Sequence, residues 1–258
     1  MVGVLGLISL GSIAAAVSSR TSRTQAGKKA APPPVLIFVL EEGIRPGGQK
    51  DYLEGTRKWV ELIQELDPTL TFTAFGDEET FVEFNERLAD FDAIGPAVES
   101  WLRFFEAAAE TEWGRKRAAA VEWSRMSVWE QSAELSYVPA HPEPSPKDLN
   151  AWLWRIARVR ADGEEGLIKA GSAVKALFEK AGLERGYAVF RNVVGGEGPA
   201  YSVILSGRDQ AEIASWIART TSRLAPDLVP LLRRLESGME EHSDFKARTL
   251  TDLSLTGR

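Results

Sequence analysis

The 258-residue chain carries 31 Lys and Arg against 37 Asp and Glu, a net charge of -6 that repels phosphate backbones and speaks against nucleic acid as a partner. It has no cysteine, which excludes disulfides and thiolate chemistry without fixing a compartment. An apolar content of 44% supplies cores for two units of about 100 residues each.

Val4 to Val17 is almost entirely apolar or small, and small residues follow at Ala14-Ala15-Ala16 and Ala26, the pattern of a cleaved export signal. No Lys or Arg precedes it, so a non-exported, cytoplasmic chain with an unstructured tail stays as the alternative. As a helix this stretch would reach about 21 Å against a hydrocarbon layer of roughly 30 Å, too short for a stable membrane anchor. Residues 1–34 are read as this segment plus a linker, closed by Pro32-Pro33-Pro34. Export would make the protein periplasmic or secreted.

Residues 35–138 read as strand-helix-strand-strand-helix-strand. Val35 to Leu40 is a β-branched run bounded by prolines and glycines. Tyr52, Thr56, Trp59, Val60, Ile63 and Leu66 recur at helical spacing. Strands are expected at Leu70–Phe75 and Thr80–Asn85 around a Gly76-to-Glu79 turn. The second helical region spans Leu88 to Phe105, with Gly95-Pro96 expected to break it into a short turn followed by a longer helix. Trp113, Trp123 and Trp129 read as packing residues in a less regular segment, with a last strand inside Arg125–Val138.

Residues 139–150, with Pro139, Pro142, Pro144 and Pro146, form a stiff linker, and its His141 has no ligand-type neighbour. Residues 151–258 repeat the order. Trp152–Arg160 is a strand, and Asp162 with Glu165 resembles a reciprocal cap for a helix that Gly182 ends. Tyr187–Val194 and Tyr201–Leu205 are strands joined by a glycine-rich turn. Asp209 and Glu212 repeat the capping spacing, Pro226 is expected to begin a separate helix, and Phe245–Leu253 is the closing strand. Arg233-Arg234 reads as a solvated helix face.

This doubled order resembles the dimeric α+β barrel superfamily of ferredoxin-like proteins, here as an internal tandem. The segment Gly43-Ile44-Arg45-Pro46-Gly47 followed by Tyr52-Leu53-Glu54 is also similar, more loosely, to small barrel proteins of unassigned function. The resemblance implies an α+β fold of two ferredoxin-like domains packed sheet to sheet as an internal pseudo-dimeric barrel. It further implies a cavity between the sheets that in such families holds haem, an aromatic polyketide or another planar apolar molecule. Haem-using members place a histidine near the cavity, whereas here only His141 and His242 exist, so no cofactor is expected.

Motifs of chemistry are scarce. His242-Ser243-Asp244 has the residue types of a hydrolytic triad but reads as a helix end or turn, where neighbours do not face one another. Gly195-Gly196-Glu197-Gly198 lacks the Lys-Ser or Lys-Thr of a phosphate loop. No metal site is expected. What remains is a set of polar residues within strands: Glu83 and Asn85 on one face, Arg191 on another strand, Arg155 beside Leu153 and Ala157, and the phenols Tyr187 and Tyr201. These are the candidate ligand-pocket residues.

Two functions follow. The first is a soluble, non-catalytic small-molecule-binding or structural module, with an apolar small molecule as partner and self-association into a homo-oligomer left open. The second is a cofactor-independent monooxygenase or cyclase acting on an apolar aromatic substrate. There Arg155 would orient an anion, Glu83 accept a proton, and Tyr187 or Tyr201 donate one or stack.

Overall fold

A computed structural model describes residues 34–256 except 78, 143, 161 and 197. The export segment and almost all of its linker lie outside these residues. The first half runs β1 (Leu36–Ile44), α1 (Gln49–Leu66), β2 (Thr73–Gly76), β3 (Phe81–Leu88), α2 (Ile94–Ala109), α3 (Glu112–Ala120) and β4 (Val121–Gln131). The second runs β5 (Ala151–Val159), α4 (Glu164–Ala181), β6 (Ala188–Val194), β7 (Ala200–Gly207), α5 (Gln210–Gly238) and β8 (Met239–Thr249).

The eight strands close into one antiparallel barrel in the order β1-β3-β2-β8-β5-β7-β6-β4. Each half contributes its strands in the same spatial order, fourth-first-third-second. The halves meet along two seams. β2 pairs with β8 through Phe75–Thr249 and Gly76–Arg248, and β4 pairs with β6 between Val128–Val194 and Gln131–Phe190. The strands of both halves are thus hydrogen-bonded edge to edge into one closed barrel, which leaves no free strand edge among the described residues.

Strand alternation sends one set of side chains into the barrel and the other toward the helices. In the first half the helix side is solidly filled. α1 buries Tyr52, Thr56, Trp59, Val60 and Ile63, and α2 buries Ile94, Ala97, Trp101, Phe104 and Ala108. These pack on Leu36, Phe38 and Leu40 of β1 and Val82 and Phe84 of β3. The rings of Trp59 and Phe72 each contact those of Phe84 and Trp101, with Phe72 and Trp101 centred 5.4 Å apart. Arg117 of α3 enters this core and pairs with Glu42 of β1.

Several expectations need correction. Pro226 does not open a new helix: it and Pro230 lie inside the single 29-residue α5. A proline within a helix removes an N–H, so the carbonyls four residues earlier, on Ser222 and Pro226, lose their usual partners. Burial of Leu228 and packing of Leu224, Leu231 and Leu235 against Val174, Phe178 and Leu183 offset that loss. The second helical region is divided as expected into a short 3₁₀ turn, Phe91–Ala93, and the longer α2, with the join just before Ile94 and Pro96 in the first turn of α2, where N–H groups have no intrahelical acceptor. The Asp162–Glu165 cap is not formed; Gly163 is the N-cap and no side chain caps the helix. By contrast Asp209 Oδ1 accepts from the Glu212 N–H at 2.7 Å, and Glu212 Oε2 accepts from the Arg208 N–H at 2.7 Å. The closing strand ends at Thr249, with a 3₁₀ turn at Thr251–Leu253. β3 extends to Leu88, the residue at which a helix was expected to begin, and α3 fills the segment around Trp113 that seemed irregular. Trp123 is not a core residue: it is 44% exposed and lies over Gly43, where any Cβ would overlap its indole.

Candidate functional site

The space between the two sheets is not the ligand cavity that the sequence led us to expect. Phe75, Phe81, Trp152, Trp154, Ile204, Phe245 and Ala247 fill one part of the barrel interior. What remains is a cavity of about 40 Å³ lined by Ile37, Val39, Glu41, Glu83, Asn85, Trp129, Trp154, Ile156, Phe190, Ser202 and Ile204. That volume holds about one water molecule and no aromatic ligand.

A larger chamber, of about 300 Å³, lies on the opposite face of the second half's sheet, beneath α4 and α5. Its floor is Leu153, Arg155 and Ala157 of β5, Val189 of β6, and Tyr201, Val203 and Leu205 of β7. Leu167, Gly171, Val174 and Phe178 of α4 and Trp216, Thr220, Leu228, Leu232 and Leu235 of α5 form its walls. α4 and α5 bring the small or slender residues Gly171, Val174, Thr220 and Thr221 to the chamber wall, whereas the helix side of the first half is filled by indole and phenyl rings. A volume of this size is the lower range for small-molecule pockets.

The candidate residues divide between these two spaces. Glu83 and Asn85 face the barrel interior, whereas Arg155, Tyr187 and Tyr201 line the chamber. The sheet separates the groups, so a single active centre made of Arg155, Glu83 and both tyrosines is not formed. Arg191 stands beside the chamber group: its Nη2 lies 3.0 Å from Glu164 Oε1, which also accepts the Tyr201 hydroxyl at 2.8 Å. Burial first, and then the bond to Glu164, push the Tyr201 phenol above its ordinary value. Arg155 is engaged rather than free, its Nε and Nη2 each donating at 2.7 Å to the Asp244 carboxylate. That bond holds the Asp244 carboxyl below the usual carboxylate range.

Tyr187 differs from its neighbours. Its hydroxyl is buried in the chamber wall and has no hydrogen-bond partner among the described residues. Burial, with a smaller contribution from Glu179, raises its pKa, so the phenol is a proton-bearing donor at neutral pH. His242 stands on β8 opposite Ala157, exposed at the chamber's rim, not at a helix end or turn. Ser243, one residue on, faces the other side of the sheet, so the triad-like residues do not converge. Among the described residues no group of three or more His, Cys, Asp or Glu is placed to hold a metal ion. No described helix is long and apolar enough to cross a membrane.

The barrel interior has a polar centre that the sequence indicated only through Glu83 and Asn85. Glu41 pairs across β1 and β3 with Glu83, and Arg125 of β4 donates through Nε and Nη2 to Glu41 Oε2 at 2.8 and 2.6 Å. Glu41 and Arg125 lie opposite one another on adjacent strands, a relation that becomes visible only once the register is known.

No family model and no curated protein sequence matches the chain. Solved structures do. An anthrone oxidase-like protein superimposes with a TM-score of 0.53 at 13% identity, covering 85% of this chain and 92% of that one. A candidate monooxygenase from Lactobacillus acidophilus NCFM gives 0.48 at 10% identity, over 86% of this chain and 96% of that one. Chlorite dismutase from Candidatus Nitrospira defluvii in complex with imidazole gives 0.49 at 8% identity, over 84% and 92%. At these identities the likeness concerns the fold alone, a closed eight-stranded antiparallel barrel with helices packed on it.

Proposed function

We propose that this protein binds an apolar small molecule bearing one hydrogen-bond-accepting oxygen, seated in the chamber beneath α4 and α5. The observation that carries this reading is the Tyr187 hydroxyl, a buried donor without a protein partner in the wall of a 300 Å³ apolar space. Leaving such a group unpaired costs about 1–3 kcal/mol, which a ligand carbonyl or ether oxygen would recover. Leu153, Val189, Val203 and Val174 supply the apolar contacts. In this reading residues 35–138 and 151–258 are two ferredoxin-like units in tandem, joined by residues 139–150, and the repeated strand order supports that division. Residues 4–17 are read as an export segment.

Haem, an occupant the sequence resemblance brings to mind, does not suit this donor set. The chamber's imidazole, His242, is exposed at the rim, and the Tyr187 phenol is held protonated rather than as a phenolate.

A second reading is oxidation within the same chamber, favoured by the name of the anthrone oxidase-like neighbour. One reaction tests both. The purified protein is titrated with anthrone under air while tryptophan fluorescence and dissolved oxygen are followed, and native mass spectrometry records bound mass and copy number. Binding expects saturable quenching with oxygen uptake no faster than in buffer. Uptake of one O₂ per anthrone, with the ring methylene becoming a carbonyl and one water released, would replace the binding reading by the oxidase. Absence of any bound apolar molecule, either in native-host material or after anthrone and a panel of aromatic ketones, would sink both.

A further inference from the structure

Strand β5 lines two different spaces with alternate residues: Leu153, Arg155 and Ala157 face the chamber, and Trp154 and Ile156 face the barrel interior. We propose that the barrel interior is a second and independent site, which seats one water molecule between the Trp154 indole N–H, the Asn85 amide oxygen and the Glu83 carboxyl.

Three observations converge on it. First, both ends of a bridge are present and unmatched. Trp154 is 4% exposed, yet its Nε1 has no partner among the described residues, and the same holds for Asn85 Oδ1. An orphan donor and an orphan acceptor on two residues that line one small space call for a molecule that both accepts and donates. A bare cation would satisfy Asn85 and be repelled by the indole N–H. An anion would meet Glu41 and Glu83. Second, the Asn85 side chain hydrogen-bonds to Glu83, which ties the amide to the carboxyl that the water would touch. Third, the cavity of about 40 Å³ fits one water, whose share of liquid volume is about 30 Å³, and fits nothing of the size the chamber admits.

The charges around the site make it titratable. The charged groups bearing on Glu83 are Glu41 from β1 and Arg125 from β4; β2 presents Phe75, and β5 presents Trp154 and Ile156. Arg125 Nε and Nη2 both donate to Glu41, so with that pair charged the trio is neutral when Glu83 carries a proton. Burial, and then the Glu41 charge, raise Glu83 to about 8. At neutral pH the water therefore rests against a carboxylic acid, and above pH 8 against a carboxylate. The barrel interior becomes a place where a proton and a water are held together, apart from the chamber.

The test uses the full chain labelled with ¹⁵N-tryptophan, with the Trp154 indole resonance assigned by Trp154→Phe. A rotating-frame Overhauser cross-peak between the Trp154 indole proton and a long-lived water is expected. The same resonance should shift with pH with a midpoint about 8, and Glu83→Gln should abolish that shift while keeping the water cross-peak. A dry indole, electron density for a chloride or alkali cation in place of water, or a midpoint in the ordinary carboxylate range near 4.5 would each overturn the assignment. The wild-type cross-peak and titration decide the matter even if Glu83→Gln folds poorly. Neither measurement reads the chamber, so this site and the ligand chamber stand or fall separately.

Discussion

Removing the guanidinium of Arg117 should strongly destabilise the protein. Arg117 and Glu42 have side chains only 4% and 2% exposed and form an ion pair inside the core. Arg117 Nε also donates to Thr56 Oγ1 at 3.0 Å, its guanidinium lies 4.2 Å from the Trp59 ring centre, and the Tyr52 hydroxyl donates to Glu42 at 2.8 Å. Even Gly55 belongs to the arrangement, since a Cβ there would come within 2.6 Å of the Arg117 Cβ. Arg117→Met preserves much of the volume but leaves the Glu42 charge uncompensated, a change that costs about 3–5 kcal/mol for buried pairs. The lost contact with the Trp59 face is worth about 2 kcal/mol in isolation and overlaps with that figure. We expect a loss of about 4 kcal/mol, or a fall in Tm of roughly 8–16 °C for a chain of this size. Arg117→Met combined with Glu42→Gln removes the stranded charge and should recover at least half of the loss. Urea unfolding at pH 7, followed by circular dichroism and tryptophan fluorescence, measures both variants. A single-variant cost below about 1 kcal/mol, or a double variant no better than the single, would refute the account of a desolvated, mutually dependent pair.

Tyr187→Phe should weaken binding of an oxygen-bearing aromatic ligand by roughly 3–10-fold while leaving the ligand-free protein at least as stable, because it deletes an unpaired buried hydroxyl; a destabilised free protein in thermal melts would count against this. For Glu83 the sign follows from its raised value. Its proton-linked stability is fully present below the ordinary carboxylate range and is lost as pH rises from about 4.5 to about 8. Glu83→Gln should thus match the wild type near pH 5 and exceed it near pH 9, by up to about 5 kcal/mol at 1.36 kcal/mol per pH unit; parallel stability–pH curves would contradict it. Asp209→Ala removes the acceptor at the start of α5 and should cost about 1 kcal/mol in chemical denaturation, with no change in ligand affinity.

The sequence was most informative where one physical rule acted alone. Alternation in Trp152–Val159 separates Trp154 and Ile156 from Leu153, Arg155 and Ala157, and the strand has those two faces. Gly182 ends α4 with φ 58°, as a left-handed cap requires. Alternation does not say which face looks inward, however, and that left Glu83 and Arg155 assigned to one space when they occupy two. The proline rule misled at Pro226 because tertiary packing along α5 outweighed a local penalty. The chamber itself was invisible in the sequence. It becomes visible only on setting the residues of α4 and α5 beside those of α1 and α2, a comparison of volumes across the barrel that no periodicity encodes. The Glu41–Arg125 contact depended on strand register for the same reason.

The contrast between a solid first half and a hollow second half bears on how genetic data from this protein should be read. The two seams make the barrel one cooperative object, so damage to Trp59, Trp101 or Arg117 will abolish whatever the distant chamber does without touching it. A mutational scan scored only by ligand retention will therefore highlight the wrong half of the molecule. Scoring the same library for cellular abundance as well separates the two classes: first-half positions should lose both signals together, whereas positions such as Tyr187, Val203 and Val174 should lose retention while abundance holds.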